Sequence, residues 1–336
     1  MGFMQNFWGG LKQKWSRYKR WVYLFIMAAA LAFLGKTLHS HWQGIASIQI
    51  TPPAWASLVF ATGITLLAFV WAGWIWGQIL QDLGQPVNKA WAAQIYLTTN
   101  IAKYLPSNVV HLYGRTLAAT DIGIPFGPAS LSVVLDTLLM AASGVIVSLL
   151  SVPQQQQIFA VLGLIVILLV VHPRILQRLV KFVPQGSKKN QPADASDAIK
   201  LERYPLRPLL GQILFVLVRS LGFIVTLSVL TPIEPLLIPK YMSIYTLGWL
   251  LGFIIPGVPG GVGVLELVTS TLLSQPGVLT SDQTLSVGLA LGAVGIHRLV
   301  NTIAEALGAG LATLDMRFPL QHRPRPSRKP TQTASR

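Results

Sequence analysis

The stretch Gly252-Phe-Ile-Ile-Pro-Gly-Val-Pro-Gly-Gly-Val-Gly-Val-Leu-Glu266 decides how this chain folds. Two prolines and five glycines lie in an otherwise apolar region. Proline removes a backbone donor and clashes with the preceding helical turn. Glycine weakens a helix through backbone entropy. A membrane helix is therefore expected to break at Pro256, Gly257, Pro259, Gly260, Gly261 and Gly263, with the carboxylate of Glu266 just beyond. In hydrocarbon, freed backbone groups are tolerated only where protein or a wet cavity satisfies them. The break marks either a close helix crossing or a site.

Composition sets the frame. The chain is 52% hydrophobic and 11% charged over 336 residues, where soluble domains carry about 25% charged residues. Several apolar runs reach the ~20 residues that span a bilayer. The expectation is an all-α polytopic membrane protein with six full spans and two re-entrant helical hairpins. No cysteine is present, which excludes disulfides, thiol chemistry and thiolate metal sites. The formal net charge is +15. In a membrane protein such charge first sets topology and then attraction to anionic lipid, so nucleic acid is not an expected partner.

In chain order, residues 1–20 read as an interfacial amphipathic helix, with Phe3, Phe7, Leu11, Trp15 and Tyr18 at helical spacing among basic residues. Trp21 to about Leu38 is the first span, an uncleaved anchor in preference to a signal peptide. His39 and His41 have no third ligand nearby and read as an ordinary loop. Span two runs from about Ala54 to Leu80, with Trp71, Trp74 and Trp76 as an aromatic belt. Residues 91–120 read as the first hairpin, broken at Pro106. Span three covers about Pro128 to Leu150; a Gln-rich turn at 154–157 leads to span four, ending near His172. Residues 173–206 form a basic cytoplasmic loop, and span five covers about Pro208 to Leu230. The second hairpin occupies about 241–275, its first arm Tyr241 to Ile255 being short for a crossing. The last span runs from about Thr284 to Leu311, so the membrane domain is 21–312 and 313–336 is a basic disordered tail.

With both termini cytoplasmic, most of the 26 Lys and Arg fall on the cytoplasmic side. Lys36 and Lys240 fall outside, and Lys103, Arg115, Arg219 and Arg298 remain at membrane depth. The hairpins then enter from opposite leaflets, the first from the cytoplasm. Spans two and three with their hairpin, and spans five and six with theirs, make an expected inverted repeat, a plan many transporters use.

The break regions resemble the lysylphosphatidylglycerol synthase transmembrane-region family. The matching pieces are Tyr104-Leu-Pro-Ser-Asn108 with Arg115 downstream, Pro256 to Glu266, and His297-Arg298-Leu-Val300. The resemblance covers most of 20–312 and implies a membrane fold of roughly eight passes that moves or handles a charged lipid. Family members usually show Gly where Ser107 stands, and a Glu-Arg pair where Asp136-Thr137 stands. The aminoacyl-transferase domain of the fused enzymes has no counterpart in these residues, so lipid aminoacylation is not expected of this chain.

The candidate site residues are the charges at depth. Glu266 either complements a helix dipole or pairs with Arg115 or Arg298. Arg115 is either in the site or snorkels to the cytoplasmic surface. Asp136 is a site candidate or the partner of Lys103 or Arg115. Lys103 offsets the negative end of a half-helix. Arg298, Asn301 and Glu305 share one helix stripe, as a polar lining or as helix glue. His111 and His297 read as hydrogen-bonded packing residues. Asn108 can cap the second arm of the first hairpin, where helix N-termini favour anions. The resulting expectation is a translocase for an anionic or lipid-linked amphiphile in the inner (cytoplasmic) membrane. The alternative is a non-catalytic membrane partner of a lipid-linked glycosyltransferase. No paired-carboxylate, His-cluster, Ser–His–Asp or P-loop motif is present, so neither catalysis nor a cofactor or metal is expected.

Overall fold

The structure, a computed structural model, describes residues 52–104, 110–152, 154–173, 175, 204–255 and 259–317. The expected helix over 1–20, the first span, the histidines of the following loop, most of the 173–206 loop and the tail beyond 317 lie outside the described residues. So do Pro106, Ser107, Asn108, Pro256 and Gly257.

The described residues are helical, with no strand among them. In chain order the helices are α1 (Pro52–Asp82), α2 (Lys89–Asn100), α3 (Val110–Asp121), α4 (Phe126–Ser148), α5 (Gln154–Val170), α6 (Leu206–Leu227), α7 (Ile238–Ile254), α8 (Val264–Leu273) and α9 (Gln283–Arg317). Short 3-10 turns follow α2 (Ile101–Tyr104), precede α7 (Pro235–Leu237) and precede α8 (Pro259–Gly261). Five helical runs are long and apolar enough to cross a membrane: α1, α4, α6, Pro235–Ile254 and α9. They fit a multi-pass integral membrane protein.

Local chemistry sets the starts. Asn88 caps α2, its side chain accepting from the Ala90 N–H at 2.8 Å. Asp282 Oδ1 accepts from the N–H groups of Thr284 and Leu285 at 2.9 and 3.1 Å and so begins α9. Four details depart from the sequence expectation. Gln154 to Gln157 form the first turn of α5 and not a turn before it, since glutamine is a good helix former. The expected span four is accordingly the 17-residue α5, about 25 Å long. The helical run before the second break is 20 residues, beginning at Pro235. It begins early because Pro235 and Pro239 sit in first turns, where a missing N–H costs little. The last helix continues to Arg317, six residues beyond Leu311. Of Trp71, Trp74 and Trp76, expected as a belt, two turn inward: Trp76 is fully buried and donates to Ser132 Oγ at 3.1 Å, and Trp71 Nε1 donates to the Gly211 carbonyl at 2.9 Å. Trp74 alone of the three is exposed.

Packing is reciprocal. α1 packs on α2 as α6 packs on α7, and α3 packs on α4 as α8 packs on α9. α4 touches α6 and α7, while α9 touches α1 and α2. α1 and α6 pack on each other. Exchanging the unit α1–α4 for the unit α6–α9 therefore reproduces the packing scheme. The crossings use small residues, as close helix contacts without a hydrophobic drive require. A Cβ on Gly73 would come within 2.6 Å of the Ala93 Cα, and one on Gly211 within 2.2 Å of Ile75.

Candidate functional site

The two interruptions meet. The 3-10 turn ending at Tyr104 packs on the turn Pro259–Gly261. Gly260 has φ 58°, and a Cβ there would lie 2.8 Å from the Tyr104 ring. The arms of the second interruption are in backbone contact, since a Cβ on Gly252 would lie 2.9 Å from the Gly261 Cα. Both tips border a cavity with about 70 Å³ open to water centres. It is well above the ~10–15 Å³ needed to admit a water.

Seven charged side chains at or beside this cavity form three pairs and leave one cation over. Arg115 on α3 is 2% exposed, which replaces the snorkelling alternative. Its Nη1 lies 3.3 Å from Asp136 Oδ2 on α4, and its guanidinium carbon sits 3.5 Å over the Tyr96 ring. The other carboxylate oxygen, Asp136 Oδ1, accepts from Gln212 Nε2 on α6 at 2.6 Å. The second pair is Arg298 on α9 with Glu266 on α8, Nη1 to Oε1 at 3.1 Å but out of hydrogen-bond alignment. Glu266 Oε2 accepts from the Gly263 N–H at 2.7 Å. Glu266 is thus both a helix cap and an ion-pair partner. Arg298 Nη2 donates to the Gly260 carbonyl at 3.1 Å, tying α9 to the second tip. The third pair is Lys103 with Glu305. Lys103 also lies 5.3 Å from each of the Phe69 and Tyr104 ring centres. The dipole role expected for Lys103 is thus joined by a specific partner.

The seventh charge is Arg219 on α6. Its Nε donates to Tyr245 Oη at 3.0 Å, and its guanidinium carbon lies 5.0 Å from Trp249, 5.5 Å from Phe69 and 5.9 Å from Tyr245 ring centres. No carboxylate among the described residues pairs with it. Tyr245 Oη also sits 3.2 Å from His297 Nε2, and His297 Nδ1 sits 2.9 Å from Thr226 Oγ1. Thr226 donates its only proton to the Gly222 carbonyl at 3.0 Å. Arg219, Tyr245, His297 and Thr226 thus form a continuous hydrogen-bonded row, with Arg219 donating to Tyr245.

Of the residues singled out from the sequence, Lys103, His111, Arg115, Asp136, His297, Arg298, Asn301 and Glu305 line the cavity with Gly260 and Gly261. Glu266 backs Arg298 from outside the lining, and Gly263 (φ 85°) supplies the N–H that Glu266 caps. Pro259 begins the second turn. Asn108 lies outside the described residues. Sequence reasoning left Arg219 and Gln212 without a role. The available signal was numerical: the four cations expected at membrane depth face only three carboxylates expected there, Asp136, Glu266 and Glu305. Among the described residues no group of His, Asp and Glu is arranged to hold a metal. No protein-family model matches the chain, and no curated protein matches it.

Proposed function

We propose that the protein moves an anionic or lipid-linked amphiphile across the cytoplasmic membrane. The reading rests on one observation above others: two broken helix pairs meet at a polar cavity in an otherwise apolar bundle. A charge at the bilayer centre costs at least ~2.5–3.5 kcal/mol on insertion scales, so seven in one place argue for use and not for accident. In this reading α2–α3 and α7–α8 are re-entrant hairpins entering from opposite leaflets, and the two units form an inverted repeat. The reciprocal packing supports the repeat. So does the placement of an ion pair between second arm and following helix in each unit: Arg115–Asp136 and, with signs exchanged, Glu266–Arg298. Rocking one unit against the other would open the cavity to each leaflet in turn while acyl chains stay in lipid. Kinship with the lysylphosphatidylglycerol synthase transmembrane-region family belongs to the same proposal, as does a non-catalytic role.

A leaflet assay in proteoliposomes tests it, with a fluorescent anionic lipid. The expected outcome is lipid movement above protein-free vesicles, lost in Arg115→Ala and reduced in Glu266→Gln. Movement indistinguishable from empty vesicles overturns the proposal. Co-purification of a lipid-linked glycosyltransferase without lipid movement would instead favour a partner role.

A further inference from the structure

We infer that Arg219 is the anion-binding residue of the cavity and that its ligand is an oxyanion with a single negative charge, of the phosphodiester class. The inference deepens the proposed function and rests on its premise that the cavity binds the transported molecule.

Charge decides the residue. Arg115, Arg298 and Lys103 are each met by a carboxylate. An anion approaching any of them competes with that carboxylate and meets its repulsion. Arg219 is met by none, and it lines the cavity. The Arg219 Nη groups have no hydrogen-bond partner among the described residues, and they are not among the fully enclosed unsatisfied atoms. They are therefore open to the cavity. The guanidinium is fixed in place by Tyr245 and by three aromatic rings, so little freedom is lost on binding. Planar bidentate donation from its Nη groups suits a phosphate oxygen pair.

Charge also decides the ligand. Among Lys, Arg, Asp and Glu, four cations face three carboxylates, leaving one positive charge. A phosphodiester matches it; a diphosphate would bury excess negative charge. Other polar groups lie in the same lining. His111 is 6% exposed and lines the cavity, and its enclosed Nδ1 has no hydrogen-bond partner. Asn301 and Glu305 belong to the lining as well, and Asn301 Oδ1 is enclosed without a hydrogen-bond partner.

The test is equilibrium binding to the full chain in neutral detergent. The probes are dihexanoyl phosphatidylglycerol, geranyl diphosphate, dihexanoyl phosphatidylcholine and inorganic phosphate. Wild type should prefer phosphatidylglycerol over the diphosphate and the net-neutral lipid. Removing a charge-assisted hydrogen bond weakens binding roughly 10- to 100-fold, the loss expected in Arg219→Gln. Arg219→Lys should retain part of the affinity. Should Arg219→Gln fail to fold, Glu305→Gln decides: it leaves a second cation unmatched and should shift preference about tenfold toward the diphosphate. Inorganic phosphate binding as tightly as the lipid would support the oxyanion site with a free ion as its source. Phosphatidylglycerol affinity unchanged in Arg219→Gln, or a diphosphate preference in wild type, would overturn the inference. Binding that depends on Arg219 without lipid movement would sink the translocation proposal and leave this one standing.

Discussion

Arg115 and Asp136 illustrate what a single residue contributes here. Each is almost completely buried, and each is held by more than the other, Arg115 by Tyr96 and Asp136 by Gln212. Removing one partner strands a charge. Arg115→Met is expected to cost about 3–5 kcal/mol, whereas Arg115→Met with Asp136→Leu should lie within about 1–2 kcal/mol of wild type, because an apolar replacement of a buried pair is often neutral. Thermal unfolding in detergent measures both; equal losses would show that the pair is not the relevant unit. At this scale the sequence singled out charges that prove to be buried in the bundle and not which of them meet. The pairing Glu266–Arg298 crosses from one helix to another, and so does Lys103–Glu305, 202 residues apart. Such contacts depend on helix rotation, which an apolar run with weak amphipathicity does not fix. Arg219 shows the same limit: it stood among the charges at depth, but its lack of a carboxylate is a three-dimensional fact.

Among elements, the second interruption is the best test of backbone geometry. Gly261 and Gly277 both have positive φ, 69° and 74°. Alanine at Gly277 would meet nothing within 4 Å, so only left-handed strain of about 1–2 kcal/mol applies. Alanine at Gly261 would meet the Gly252 backbone at 3.1 Å. It should cost about 1–3 kcal/mol more through overpacking, read as a larger fall in melting temperature. Similar falls would mean the two arms can separate freely. This interruption was legible because proline and glycine act on the backbone directly. The starts of α5 and of the run at Pro235 were not, because the same residues, glutamine and proline, serve turns and first helical turns alike.

For the molecule as a whole, the absence of cysteine makes orientation directly measurable. With both hairpins re-entrant and inverted, single cysteines replacing Gln81 and Asp121 should be labelled from the cytoplasmic side only. Cysteines replacing Glu234 and Ser281 should be labelled from the opposite side only. Labelling of Glu234→Cys and Ser281→Cys from different sides would make Pro235–Ile254 a full crossing, for which its 20 residues suffice. Spacing and charge asymmetry in the sequence suggested a repeat; the reciprocal packing of α1–α4 and α6–α9 appears only when the helices are assembled.

So many buried polar groups in an apolar bundle raise the question of a proton path. The row from Arg219 through Tyr245 and His297 to Thr226 bears on this. Hopping conduction needs a first member able to give up its hydrogen and a last member able to pass one on. A guanidinium gives up none at any physiological pH, and the terminal hydroxyl is bonded to a main-chain carbonyl of its own helix. The row is closed at both ends, and the cavity can be wet without becoming a leak along this path.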